Sequence, residues 1–98
     1  MTEENMGKEK IKPSFVISVG LENYVLPQRI IAVISVKSAP VKRMIKGAEE
    51  KNMLVDATCG KPTRSAVIMD SNHIVLSSLA PKKIAMRIEG GHHNRAYE

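Results

Sequence analysis

Apolar residues in this chain fall into short blocks divided by turn formers, and most of the blocks predict strands. Phe15, Val16, Ile17 and Val19 make a β-branched run closed by Gly20, a first strand over 15–19. Residues 21–28 carry Asn23 and Pro27 and predict a loop or a short edge strand interrupted by proline. Residues 29–36 are the strongest strand candidate, and their nearly continuous apolar run predicts cover on both faces. A helix follows. Ser38 suits its N-cap and Pro40 its first turn, where a missing N–H costs nothing. Val41, Met44, Ile45 and Ala48 form one apolar stripe, Gly47 interrupts it at a cost of about 1 kcal/mol relative to Ala, and Asn52 fits the left-handed residue that ends it.

The second half is again strand-rich. Residues 53–55 predict a short strand leading into a loop over 56–63 built on Gly60 and Pro62. Residues 64–70 and 73–78 predict a hairpin joined through Ser71 and Asn72, apolar on both faces. Residues 81–88 predict a short helix with Ile84 and Ile88 on one side, stopped by Gly90 and Gly91. The order predicts an α+β fold: a small mixed or antiparallel sheet, one main amphipathic helix and a short C-terminal helix. A flexible arm over 1–12 and a disordered tail over 90–98 are expected to flank one domain over 13–89.

Composition narrows the picture. The only aromatics among 98 residues are Phe15, Tyr24 and Tyr97, so the core rests on aliphatic side chains and is thin. Thin cores are often completed by a subunit interface. Cys59 is the single cysteine, which excludes an intrachain disulfide and suits a reducing compartment. No apolar segment reaches the roughly eighteen residues of a membrane span, and residues 1–12 lack the apolar run of a signal peptide, so a cytoplasmic location is expected.

The net charge is +5 and is unevenly spread. Residues 1–12 balance to zero, residues 13–88 carry +6 and the tail carries −1. A basic body suits a polyanion, chiefly nucleic acid; a solvated basic surface is the plainer reading.

Candidates for catalysis are poor. Cys59 has no base near it in sequence, His92 and His93 lie in the tail without further metal ligands, and Asp56 and Asp70 stand where aspartate caps turns. No Gly-Lys-Ser/Thr follows Gly90 and Gly91, so no phosphate loop is formed. The expectation is a protein that is not an enzyme, with no cofactor, no metal and no small-molecule substrate. What remains is basic: Arg29 at a strand start, Lys61 and Arg64 around Pro62, Lys42, Arg43 and Lys46 on the main helix, and Lys82, Lys83 and Arg87 on the last. Several such residues together supply phosphate contacts. Without exposed aromatic pairs for stacking, duplex DNA is favoured over single strands.

The order of segments carries a resemblance. Gly-Leu-Glu-Asn-Tyr-Val-Leu-Pro-Gln-Arg over 20–29, Ser-Ala-Pro-Val-Lys-Arg-Met-Ile over 38–45, Met-Leu-Val-Asp-Ala-Thr over 53–58, Thr-Arg-Ser-Ala-Val-Ile-Met-Asp-Ser over 63–71 and His-Ile-Val-Leu-Ser-Ser over 73–78 closely resemble the RemA family of bacterial regulators of extracellular-matrix and biofilm genes. The resemblance covers about residues 15–88. It implies a cytoplasmic, nucleoid-associated DNA-binding protein with a fold similar to LytTR-type domains. It also implies a closed homo-oligomeric ring of about seven or eight subunits against which duplex DNA lies.

Family members carry DNA-contacting arginines at two places. One corresponds to Arg29, preceded here by Gln28. The other is a Tyr-Gly-Arg-Arg-Thr-Arg loop, which here reads Cys59-Gly60-Lys61-Pro62-Thr63-Arg64. Lys61 keeps the charge without the planar fork of arginine, and Pro62 keeps neither charge nor N–H. The resemblance therefore implies DNA contacts at Arg29, Lys61 and Arg64 on one DNA-facing edge. Lys42, Arg43 and Lys46 are secondary candidates, because their helix is also suited to face a neighbouring subunit. The alternative is a structural or protein-interaction ring that has lost DNA binding through the changes at Lys61 and Pro62.

Overall fold

A computed structural model describes residues 15–97, with side-chain environments over 15–90. The arm expected over 1–12 lies outside the described residues. Among these residues six strands and two helices follow in order: β1 (Ile17–Gly20), β2 (Asn23–Val25), a 3₁₀ turn (Pro27–Arg29), β3 (Ile30–Ser35), α1 (Ala39–Glu50), β4 (Leu54–Asp56), β5 (Ser65–Met69), β6 (Ile74–Ser77) and α2 (Pro81–Tyr97). This is the expected α+β class, divided into two sheets rather than one.

The larger sheet has the order β3-β5-β6-β4. β5 pairs antiparallel with β3 and β6, while β4 runs parallel to β6. Three strands therefore point one way and β5 alone points back, which makes the sheet mixed. Helix α1 carries the chain from the end of β3 to the start of β4, across β5 and β6. Its start is capped as the sequence predicts: the Ser38 hydroxyl accepts from the Val41 N–H at 3.4 Å, with Pro40 in the first turn. Asn52 ends it at φ 59°, and the Met53 and Asn52 N–H groups donate to the Ala48 and Glu49 carbonyls at 2.8 and 3.1 Å, a Schellman closure.

β1 and β2 form a separate hairpin. Its turn residues Leu21 and Glu22 both have positive φ, as a tight I′ turn requires. The Asn23 amide holds the turn, donating to the Gly20 and Leu21 carbonyls at 3.1 and 3.3 Å.

The alternating side chains of β5 and β6 sort the core into two clusters. Val67 and Val75 join Ile17, Val19, Ala57 and Ile84 beneath the hairpin and α2. Ala66, Ile74 and Leu76 join Ala48 beneath α1, with Val41, Ile45 and Ile34 against them. The hairpin is bolted down by buried Ser77, whose hydroxyl donates to the Val19 carbonyl at 2.7 Å. Arg87 adds a second tie, donating to the Ser18 carbonyl at 3.0 Å.

Three further expectations change. β3 is an edge strand, and Ile31 stands 64% exposed instead of covered. A register shift between Ile30 and Ala32 turns Ile31 outward while Ile30 and Val33 pack into one cluster and Ile34 into the other. Met44, on the predicted stripe of α1, also stays exposed. The last helix runs through Gly90 and Gly91 to Tyr97 instead of stopping at Ile88, so residues 90–97 continue it rather than forming a separate tail. Glycine weakens a helix by about 1 kcal/mol per residue and stops one only when a C-cap geometry accompanies it.

Gly47 meets nothing within 4 Å of the position its Cβ would take. Gly47→Ala is therefore expected to raise stability by roughly 0.5–1 kcal/mol. Ile84→Ala, at a fully buried site, is expected to lower it by about 2–5 kcal/mol. Urea unfolding followed by circular dichroism measures both.

Candidate functional site

With both sheet faces covered, the charged residues described lie on the outer helix surfaces and at the two ends of the sheet. The ends differ. β3, β4 and β6 finish, and β5 begins, at the end where Arg64 lies. The turn between β5 and β6 marks the other, where Asp70 lies.

Arg64 occupies the middle of its end. Its N–H donates to the Ser77 carbonyl at 2.8 Å, and its carbonyl accepts from Val36 N–H at 3.4 Å. The backbone is thus clasped between β6 and β3 while the residue stays exposed. The loop before it is equally fixed. The Asp56 carboxylate accepts from the Thr58 hydroxyl at 2.6 Å and the Thr58 N–H at 2.9 Å. Ala57 N–H donates to the Leu76 carbonyl at 3.0 Å, and the Asn23 amide reaches the Ala57 carbonyl at 3.3 Å. Thr58–Lys61 closes into a turn through Lys61 N–H on the Thr58 carbonyl at 3.0 Å, with Cys59 and Gly60 both at positive φ. Glycine takes that conformation freely; cysteine does so at a cost. The exposed tip, Cys59 to Pro62, is carried on an anchored base.

Arg29 lies elsewhere. It ends the 3₁₀ turn, its carbonyl accepts from Asp70 N–H at 2.8 Å, and its Nη1 meets Asp70 Oδ2 at 2.9 Å. The two side chains are 60% and 44% exposed, so the pair contributes about 0–1 kcal/mol and yields readily to a competing anion. Because β5 separates Asp70 from Arg64, Arg29 and Arg64 are roughly 20 Å apart at about 3.3 Å per strand residue. Within one chain they do not form the single edge expected from the sequence.

Lys42, Arg43 and Lys46 are exposed on α1. Lys42 and Arg43 stand nearer the Arg64 end, where α1 begins. Lys46 lies a turn further on, on the face of α1 away from a hollow of about 360 Å³ lined by Met44, Gly47, Ala48, Met53 and Ile74 among others. Sequence reasoning missed Lys37. It is exposed in the turn from β3 to α1, next to Val36, which is bonded to Arg64. Only the pairing of β3 with β5 reveals that neighbourhood.

Cys59 is exposed, with the Asn23 amide 3.9 Å from its sulfur. His73 lies at the opposite end, bonded to the Ser71 hydroxyl at 2.7 Å. Among the described residues no three His, Cys, Asp or Glu side chains are grouped to hold a metal ion, and no helix is long and apolar enough to cross a membrane. The side chains of His92 and His93 lie outside the described residues.

Comparison with known proteins gives a consistent answer. A family model described as RemA-like, extracellular matrix regulatory protein A-like, matches residues 16–88. A protein of Dictyoglomus turgidum named "Putative regulatory protein" is 52% identical over 75 residues, covering 76% of this chain and 88% of its own. Proteins of the same name from Halothermothrix orenii and Bacillus pumilus are each 46% identical, over 79 and 72 residues. The shares covered are 81% and 94% for the first pair of chains and 74% and 81% for the second.

The anchored loop has a pH signature. The Asp56 carboxyl is held below its ordinary value, first by the Thr58 hydroxyl and then by the Thr58 N–H, with weak opposition from burial. The folded form therefore binds this proton less readily than the unfolded form. Its contribution is present above the ordinary carboxylate range and is lost as pH falls through the lowered value. The Thr58 amide resonance is expected to report that loss in an NMR titration below about pH 4. Asp56→Ala, which removes both bonds, is expected to abolish the acid step and speed amide exchange at Thr58 and Lys61 at every pH.

Proposed function

The chain belongs to the RemA-like family, and from that membership we propose a non-enzymatic regulator that binds duplex DNA as a ring-shaped homo-oligomer. The observation that carries the reading is the placement of Arg64 and Lys61, exposed cations on a loop whose backbone is bonded to three strands. Held there, they meet phosphates without first losing loop entropy. Arg29 supplies a second contact. Its distance of about 20 Å from Arg64 corresponds to roughly six base-pair steps at 3.4 Å, so one subunit touches the duplex at two places.

Assembly follows from what the fold leaves uncovered. Ile31 on β3 and Val55 on β4 are exposed apolar residues at opposite edges of the same sheet. Two unlike patches on opposite edges favour head-to-tail contact, and such contact closes into a ring when the rotation permits. A ring repeats a few cations along the DNA and raises affinity by multivalency. We read the fold as related to LytTR-type DNA-binding domains, the ring as having about seven or eight subunits, the location as the nucleoid, and the regulated genes as those of the extracellular matrix. Lys42, Arg43 and Lys46 serve either the DNA or the neighbouring subunit.

Gel shifts on promoter-region duplexes across a salt series test the reading. Lys61→Ala with Arg64→Ala is expected to weaken binding and to flatten the logarithmic salt dependence by about 0.9 for each phosphate no longer neutralised. Arg29→Ala acts in the same direction, and Pro62→Arg, which adds a cation, tightens binding. Binding indifferent to salt, or unchanged in the Arg29/Lys61 double variant, removes the site assignment. A wild-type ring that binds no duplex until Pro62→Arg is introduced supports the structural-ring alternative. Light scattering that finds a monomer at micromolar concentration overturns both ring readings.

A further inference from the structure

We infer that the DNA-contacting surface extends beyond the loop to Lys37, Lys82 and Lys83, which with Lys61 and Arg64 make the whole Arg64 end of the sheet one polyanion-binding surface. The inference rests on the DNA-binding reading above and names the residues that complete it.

The connectivity brings the five cations together. Lys37 follows Val36, whose N–H is bonded to the Arg64 carbonyl. On the other side, the Arg64 N–H is bonded to Ser77, the last residue of β6. The chain then passes through Leu79, whose carbonyl accepts the neighbouring Ser65 hydroxyl at 2.5 Å. Ile84 N–H and Lys83 N–H bond back to the Ala80 carbonyl at 3.2 and 3.0 Å, which seats the first turn of α2 at the same end. Lys82 and Lys83 are exposed on that turn. Lys37, Arg64 and the β6–α2 connection thus cross the ends of β3, β5 and β6, which neighbour one another at about 4.8 Å per strand. The row is on the scale of a few consecutive phosphates.

Local charge supports the assignment. Among the described residues the acids at this end are Glu22, in the β1–β2 turn that the Asn23 amide joins to the Ala57 carbonyl, and Asp56, whose carboxylate is engaged with Thr58. Two acids against five cations leave the end positive. The opposite end carries Arg29 paired with Asp70, and Glu49, Glu50 and Lys51 at the finish of α1. Arg87, by contrast, is tied to the Ser18 carbonyl and belongs to the packing of α2.

Fluorescence anisotropy on a mixed-sequence DNA duplex, with the full chain over a salt series, tests this. Lys37→Ala and the Lys82→Ala, Lys83→Ala pair are each expected to lower affinity at least severalfold and to reduce the logarithmic salt slope by about 0.9 for each phosphate released, in every subunit engaged. Lys37→Arg keeps the charge and is expected to keep the slope. Lys51→Ala, at the other end beside β4 and across the sheet from Arg29, which precedes β3, is expected to change neither. Circular dichroism and light scattering on each variant separate weaker phosphate binding from damage to the fold or the assembly. If wild-type protein binds the duplex but the Lys37 and Lys82/Lys83 variants match it in slope, the extended surface is wrong and the loop-only reading stands. If wild-type protein binds no duplex, or binds double-stranded RNA more tightly, the DNA reading itself fails and this surface assignment fails with it.

Discussion

The whole molecule depends on the β5–β6 hairpin being buried from both sides. Val67 and Val75 face one cluster; Ala66, Ile74 and Leu76 face the other. At about 25 cal/mol per Å² of apolar surface, such a two-sided strand pair is the largest contribution a short chain with three aromatics can assemble. It demands cover above and below, which α1 supplies on one side and the β1–β2 hairpin with α2 on the other. Once both faces are closed, no charged residue can sit on them. Function has to occupy the ends, the edges and the outer helix surfaces.

That exclusion explains why the two ends acquire different characters. Three strands finish at the Arg64 end, and the connections that leave them turn away within a few residues. Lys37, Lys61 and Arg64, with Lys82 and Lys83 at the first turn of α2, fall on these connections because that is where the chain is neither in the sheet nor under a helix. At the other end the tight β5–β6 turn leaves room for little beyond Asp70, Ser71, Asn72 and His73, and Asp70 takes Arg29 as its partner. The same basic residues, scattered along the sequence, become local through strand pairing alone.

Much of this was legible in the sequence. The Ser38 cap, Pro40 in the first turn, Asn52 at the helix end and the two-sided hairpin follow from local chemistry, and each stands where that chemistry puts it. The misses share a different cause. Ile31 belongs to an apolar run, but its exposure follows from a bulge and an edge position, both properties of pairing. Gly90 and Gly91 weaken a helix without ending it. The grouping of Arg29 with Arg64 failed for want of register: Ile30 opposite Met69 and Ser35 opposite Ser65 put the two arginines a strand's length apart. Lys37 escapes a reading of the sequence for the same reason in reverse, since only pairing brings it beside Arg64.

The anchoring of the loop also bears on Pro62. Pro62 brings no charge to the loop, which on charge alone weakens an anion site. Yet the loop has no slack for a proline to remove: Asp56, Thr58, Asn23, Ser77 and Val36 already fix it on both sides. Proline restricts φ chiefly in the unfolded chain, so its local effect here is to favour a loop the fold has built by other means. In the proposed ring, affinity would depend on the sum of cations each subunit turns toward the duplex rather than on any one of them. Lys37, Lys82 and Lys83 stand at the same end, so an uncharged Pro62 still leaves a surface of several charges. A lysine-rich end of this kind would hold phosphates as point charges without the bidentate geometry of arginine. On the proposed reading, that would shift recognition from individual base edges toward the path and deformability of the DNA.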